Sequence, residues 1–79
     1  MSWLDFQETV PSPSGKTRRW DVVARSSGDV LGLISWYAAW RRYVFTPEGR
    51  PVFDADCLRE IGVFCGQRTH EHRAGRVPA

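Results

Sequence analysis

Two hydrophobic periods run along this chain, and they change over near residue 55. Between residues 17 and 25 the order Thr-Arg-Arg-Trp-Asp-Val-Val-Ala-Arg puts Trp20, Val22 and Ala24 on one side of an extended segment, the period of two that marks a strand. Ser26-Ser27-Gly28-Asp29 reads as a turn, and residues 30–37, Val-Leu-Gly-Leu-Ile-Ser-Trp-Tyr, as the return strand of a hairpin. Within it, Gly32 suits a bulge or the close approach of an aromatic ring. Trp36, Trp40 and Tyr43 also fall at helical spacing, i, i+4 and i+7. The β preference of Trp, Tyr, Val and Phe favours instead a tight turn at Ala38-Ala39 and a third strand from Trp40 to Phe45. Thr46-Pro47-Glu48-Gly49-Arg50-Pro51 ends that strand, and Val52-Phe53 offers a short strand before the helix.

The period then becomes helical. Asp54 is a good N-cap for a helix over about 55–65, Asp56 suits the first turn, and Phe53 and Leu58 occupy the two positions of a hydrophobic staple. Leu58, Ile61 and Cys65 form an apolar stripe with Cys57 and Phe64 beside it. Gly66 is placed to stop the helix. The predicted architecture is therefore α+β: an antiparallel sheet of three to four strands with one C-terminal helix on one face. Residues 16–66 form the domain. Residues 1–15, ending Val-Pro-Ser-Pro-Ser-Gly, read as an N-terminal extension and linker. Residues 67–79, polar and without period, read as a disordered basic tail.

Composition narrows the function. Seventy-nine residues make one domain with a thin core, and four Trp among ten aromatics help so short a chain reach stability. No apolar run is long enough for a membrane span, and the first residues lack the basic start of a secretory signal, so a cytoplasmic protein is expected. Two cysteines are too few for a disulfide scaffold. On one helix they stand roughly 12 Å apart along its axis, too far to bond.

Catalysis and metals find little support. Both histidines, His70 and His72, sit in the expected tail, where a general base cannot be held in place. Asp54, Asp56 and Glu60 are the acids of a capped helix start, and Cys57 and Cys65 read as structural thiols. The Cys and His spacings match no usual zinc pattern, and no glycine-rich phosphate loop or nucleophile elbow occurs. No catalytic residue, metal site or cofactor is expected, and the chain reads as a binding module.

The surface to bind with lies between Trp36 and Phe45. On a strand, Arg41, Tyr43 and Phe45 share one face and Trp40, Arg42 and Val44 the other, and only one face can meet the helix. The surplus rings and guanidiniums must face solvent or a partner, and Trp, Tyr and Arg dominate binding hot spots. Net charge is only +2, but residues 16–42 carry Lys16, Arg18, Arg19, Arg25, Arg41 and Arg42 against Asp21 and Asp29. Ten of the eleven basic residues are Arg, which suits bidentate contacts and stacking, although a GC-rich genome favours Arg as well. The candidate partner-binding set is Arg18, Arg19, Trp36, Tyr37, Trp40, Arg41, Arg42 and Tyr43. Its targets are an acidic protein patch or, as the alternative, a nucleic acid. Unpaired sheet edges leave both a monomer and a homodimer open.

Leu31-Gly32-Leu33-Ile34-Ser35-Trp36-Tyr37, Trp40-Arg41-Arg42-Tyr43-Val44-Phe45, Val52-Phe53-Asp54 and Cys57-Leu58 together resemble a family of small phage and prophage proteins. That family shares an L-G-x-I-x-W-Y, W-R-x-Y-x-F, V-F-x-x-x-C-L pattern, and the match spans about residues 16–66. The resemblance implies a mobile-element origin and no catalytic activity. In size and character the chain is also similar to anti-CRISPR proteins. That similarity implies an inhibitor acting in the host cytoplasm on a host protein complex, for instance a type I interference complex.

Overall fold

A computed structural model describes residues 3–75 of the chain. Four antiparallel strands, β1 (Leu4–Glu8), β2 (Trp20–Ala24), β3 (Val30–Tyr37) and β4 (Arg42–Pro47), form one sheet in the order of the sequence. Among the described residues a single helix, α1 (Ala55–Arg73), follows and packs against β4. The α+β class and the C-terminal helix on one sheet face are as the sequence predicts.

The first difference lies at the N-terminus. Residues 4–8, expected in a linker, are the outer strand of the sheet. Leu4-Asp5-Phe6-Gln7-Glu8 alternates apolar and polar, and it pairs with β2 in the register Leu4 to Ala24 and Glu8 to Trp20. Leu4 is buried in the core. The proline-rich stretch that follows is the β1–β2 connection, closed by a turn in which Gly15 N–H donates to the Ser12 carbonyl at 2.8 Å. The third strand starts two residues later than expected, at Arg42, and Val52-Phe53 is not a strand: Val52 is fully exposed, while Phe53 packs edge-on against Phe45.

Gly32 does both things its position suggested. The pairing shifts beside it, Val22 facing Gly32 but Val23 facing Val30, so Leu31 is the extra residue of a bulge. Where a Cβ would stand on Gly32, the Phe45 ring and the Thr46 carbonyl lie within 2.6 Å. Only glycine leaves that ring its place.

The helix also differs. Asp54 caps it as expected, its Oδ1 accepting from Cys57 N–H at 2.8 Å. The staple does not form, because Leu58 points to solvent. Nor does Gly66 stop the helix, which runs on through residues 67–73, expected to be disordered. Residues 76–79 of the predicted tail lie outside the described residues. The inward face is Cys57, Ile61, Phe64, Cys65, Arg68, Thr69 and His72, all buried or half-buried, at unbroken helical spacing. Its polar members continue the apolar stripe because each has something to hold. Arg68 lies over Phe64 and pairs with Glu71. Thr69 Oγ1 accepts from Tyr43 N–H at 2.9 Å, and His72 lies against Trp36.

The core between sheet and helix is Leu4, Trp20, Val22, Ile34, Tyr43 and Ile61. Its rings interlock: Phe64 stacks on Phe6 at 4.2 Å, and Trp20 meets both Phe64 and Tyr43 edge-on. Aromatic pairs of this geometry contribute about 0.5–1.5 kcal/mol each beyond their buried area. That is a useful supplement for a two-layer domain of this size.

Candidate partner-binding site

The strand order brings all eight predicted residues to one end of the molecule but not onto one surface. β2 begins beside the end of β3, so Arg18 and Arg19 lie near the β3–β4 turn. Strand alternation then divides the set.

Tyr43, Trp36 and Arg18 turn toward the fold. Tyr43 is buried and its Oη accepts from Arg18 backbone N–H at 3.2 Å. Trp36 is half-buried between Tyr43 and His72, with ring centroids 5.3 and 4.1 Å away. Arg18 lies over Trp20 and forks onto Glu8, with Nε and Nη2 donating to the two carboxylate oxygens at 2.6 and 2.7 Å. That contact holds the Glu8 carboxyl below its ordinary range and raises the Arg18 guanidinium further. The Arg18 charge is therefore spent within the chain. Against the expectation of an exposed set, Tyr43 is buried and Trp36 and Arg18 are half-buried, and all three hold the hairpin to the rest of the fold. Arg19 is half-buried, its carbonyl accepting from Thr9 N–H, and alternation sets it on the sheet face opposite the helix.

Tyr37, Trp40, Arg41 and Arg42 form the exposed part, at the tip of the β3–β4 hairpin. Tyr37 and Trp40 are 45% and 63% exposed and pack edge to face with centroids 4.9 Å apart. The turn is tight: Trp40 N–H donates to the Tyr37 carbonyl and Arg41 N–H to the Ala38 carbonyl, both at 3.2 Å. Closing it puts Arg41 at φ 54°, a left-handed conformation that favours glycine. Its carbonyl is gripped by Arg73 from α1, whose Nη2 and Nε donate at 2.8 and 3.2 Å. Arg42 Nε donates to the Trp40 carbonyl at 3.3 Å. The ion pairs among the described residues are Arg18–Glu8, Arg59–Asp56 and Arg68–Glu71, so the guanidiniums of Arg41, Arg42 and Arg73 meet no carboxylate there. Arg73 is a site residue that sequence reasoning missed, because the helix was ended at Gly66. The i+4 step from Thr69 was the available signal.

Beside the tip, an open cleft of about 340 Å³ separates β4 from α1, lined by Arg42 and Tyr43 on one side and Gly62, Cys65, Gly66, Thr69 and Arg73 on the other. Burial pushes the Cys65 thiol up, and at Cys57, outside the cleft, desolvation and the Asp54 carboxylate do the same. No three metal-ligating side chains converge among the described residues, and no helix there is long and apolar enough to cross a membrane. Compared with known proteins, the chain matches no family model, no curated protein and no solved structure.

Proposed function

We propose that this chain is a binding protein without catalytic activity, which docks its β3–β4 tip on an acidic patch of a protein partner and blocks that partner sterically. The observation that carries the reading is the tip itself. Two exposed aromatic rings stand among three guanidiniums that meet no carboxylate among the described residues, on a turn that keeps Arg41 where glycine costs less. Exposed rings beside Arg are the side chains that anchor protein interfaces. A backbone outlier held by a second residue is a mark of function. The phage-family resemblance extends the proposal to the partner: a host defence complex in the cytoplasm, with a type I interference complex as the first target to try.

The test is competition. Purified interference complex is offered its target DNA with and without the protein. Wild type at saturation lowers DNA binding. A Trp40→Ala/Arg42→Ala variant, folded by near-ultraviolet circular dichroism, loses at least tenfold in potency, as the removal of a hot-spot residue of ~2 kcal/mol or more requires. Undiminished DNA binding under saturating wild type rejects this target. Equal capture of host proteins by wild type and variant rejects the tip.

A nucleic-acid partner is the second reading, favoured by the same rings and guanidiniums. Stacking on bases needs free ring faces, however, and the edge-to-face packing of Tyr37 and Trp40 occupies one of them. Failure to retard single-stranded DNA or RNA at low salt rejects this alternative.

A further inference from the structure

We infer that the cleft between β4 and α1 holds a short acidic segment of the partner protein, with its carboxylate gripped between Arg42 and Arg73. The inference rests on the docking reading of the adjoining tip and names the part of the partner that enters. The charged side chains lining the cleft are both guanidiniums. Each is already oriented by a carbonyl of the turn: Arg42 Nε donates to Trp40, and Arg73 Nε and Nη2 to Arg41. Those bonds leave both terminal nitrogens of Arg42, and Nη1 of Arg73, without a partner among the described residues. Thr69 competes for neither, since its hydroxyl accepts from Tyr43 N–H and donates to the Cys65 carbonyl. Two such forks match the planar geometry of a carboxylate. Arg73 stands in the last turn of α1, where the helix dipole is negative, so a monoanion suits the place better than a dianionic phosphate.

The rest of the cleft fits a chain better than a lone anion. From Gly62 to Arg73 the helix rises about 16 Å, the reach of about five extended residues. The far end is floored by Gly62, Cys65 and Gly66, with no charge among them. A Cβ built on either glycine meets nothing within 4 Å, so close packing calls for neither, and each leaves the floor open. In an extended segment the side chain two residues from the acid points the same way, about 7 Å further along. An apolar side chain there lies over Gly66 while the carboxylate sits between the guanidiniums. The exposed rings of Tyr37 and Trp40 stand beside the same end, so one partner surface covers both tip and cleft.

The probe is the acetylated, amidated pentapeptide Leu-Ala-Glu-Ala-Leu, which sets a leucine two residues from the glutamate whichever way it runs. Two counterparts carry glutamine or phosphoserine in place of the glutamate. Calorimetry on the full chain gives affinity. Alkylation by iodoacetamide gives location, because Cys65 lines the cleft and Cys57, on the same helix, does not. The glutamate peptide binds, slows alkylation of Cys65 and leaves Cys57 unchanged. The glutamine peptide binds about tenfold more weakly, since a hydrogen bond to a charged group is the stronger kind. The phosphoserine peptide binds no more tightly than the glutamate one. Gly62→Leu fills the floor, keeps its helix by circular dichroism and loses the peptide. No binding of the glutamate peptide overturns the proposal. So do equal affinity for glutamate and glutamine, tighter binding of phosphoserine, protection of Cys57 as well as Cys65, or full binding by Gly62→Leu. The peptide needs no partner protein, so the two readings fail separately. Peptide failure beside a tip variant that still loses potency removes the cleft alone. Peptide binding by a chain that captures no host protein removes the docking reading alone.

Discussion

Arg41 occupies a backbone well that glycine fills at lower cost, and it stays there because its carbonyl is pinned by Arg73. The pin grips the backbone, so it survives a change of side chain. Arg41→Gly should therefore stabilise the fold by about 1 kcal/mol. That raises the melting temperature by roughly 4–8 °C in a domain of this size. The same change should weaken partner binding, because one of the tip guanidiniums is gone. Thermal melts and a binding isotherm on one preparation check both signs. If Arg41→Gly lowers the melting temperature, the tip holds no such strain. Gly32 presents the opposite case. An added Cβ there drives into the Thr46 carbonyl, which is backbone and cannot swing clear, and into the far edge of the Phe45 ring. Gly32→Ala should cost about 1–3 kcal/mol. Gly62→Ala, in the helix with open space around it, should gain about 0.5–1 kcal/mol. Urea midpoints for the pair separate crowding from glycine's entropy.

Element by element, the sequence announced what it carries in apolar letters. β2, β3 and the start of α1 stand on apolar periodicity and an Asp cap, and all three form where that pattern puts them. β1 was missed because its five alternating residues lie before a proline-rich stretch that looks like a linker. Its partner, the free edge of β2, exists only in three dimensions. The second half of α1 was missed because its inward face turns polar after Cys65. Arg68, Thr69 and His72 turn inward because Phe64, Tyr43 and Trp36 are there to receive them.

The helix start and β1 also share a pH dependence. The Asp54 carboxyl sits below its ordinary range because it accepts from Cys57 N–H, and Glu8 does so because Arg18 clamps it. A carboxyl lowered on folding contributes stability that is fully present above its unfolded value, ordinarily 4.5 for Glu and 3.8 for Asp, and is lost as pH falls through the lower folded value. Urea midpoints should be flat at neutral pH and fall with acid below that range. Asp54→Asn still caps the helix but cannot titrate there, so its curve should fall less. Parallel wild-type and Asn curves would remove Asp54 from the acid transition.

At the scale of the whole molecule, strand order decides which of the predicted contact residues meet solvent. No linear reading of Trp36 to Tyr43 could separate them, because the division depends on the face the helix covers. Once α1 lies over the face bearing Trp36 and Tyr43, the hairpin tip keeps three guanidiniums that meet no carboxylate among the described residues: Arg41, Arg42 and Arg73. That number bounds the electrostatics. Single-stranded nucleic acid releases about 0.7 counterions per phosphate neutralised. Association through the tip alone would therefore give a slope of about −2 in log K against log salt, and each Arg→Ala change would flatten it by about 0.7. A steeper slope would need cations from elsewhere and would move the interface off the tip. An acidic protein patch predicts a different pattern. Salt screens the guanidinium contribution, while the share carried by Tyr37 and Trp40 persists, since apolar burial does not depend on counterions. Trp40→Ala should then lower affinity by a similar factor at low and high salt, and Arg42→Ala mainly at low salt. Measured across one salt series, these two variants assign the tip to protein or to nucleic acid. Loss of binding that tracks salt identically for both would leave the ring pair without a role.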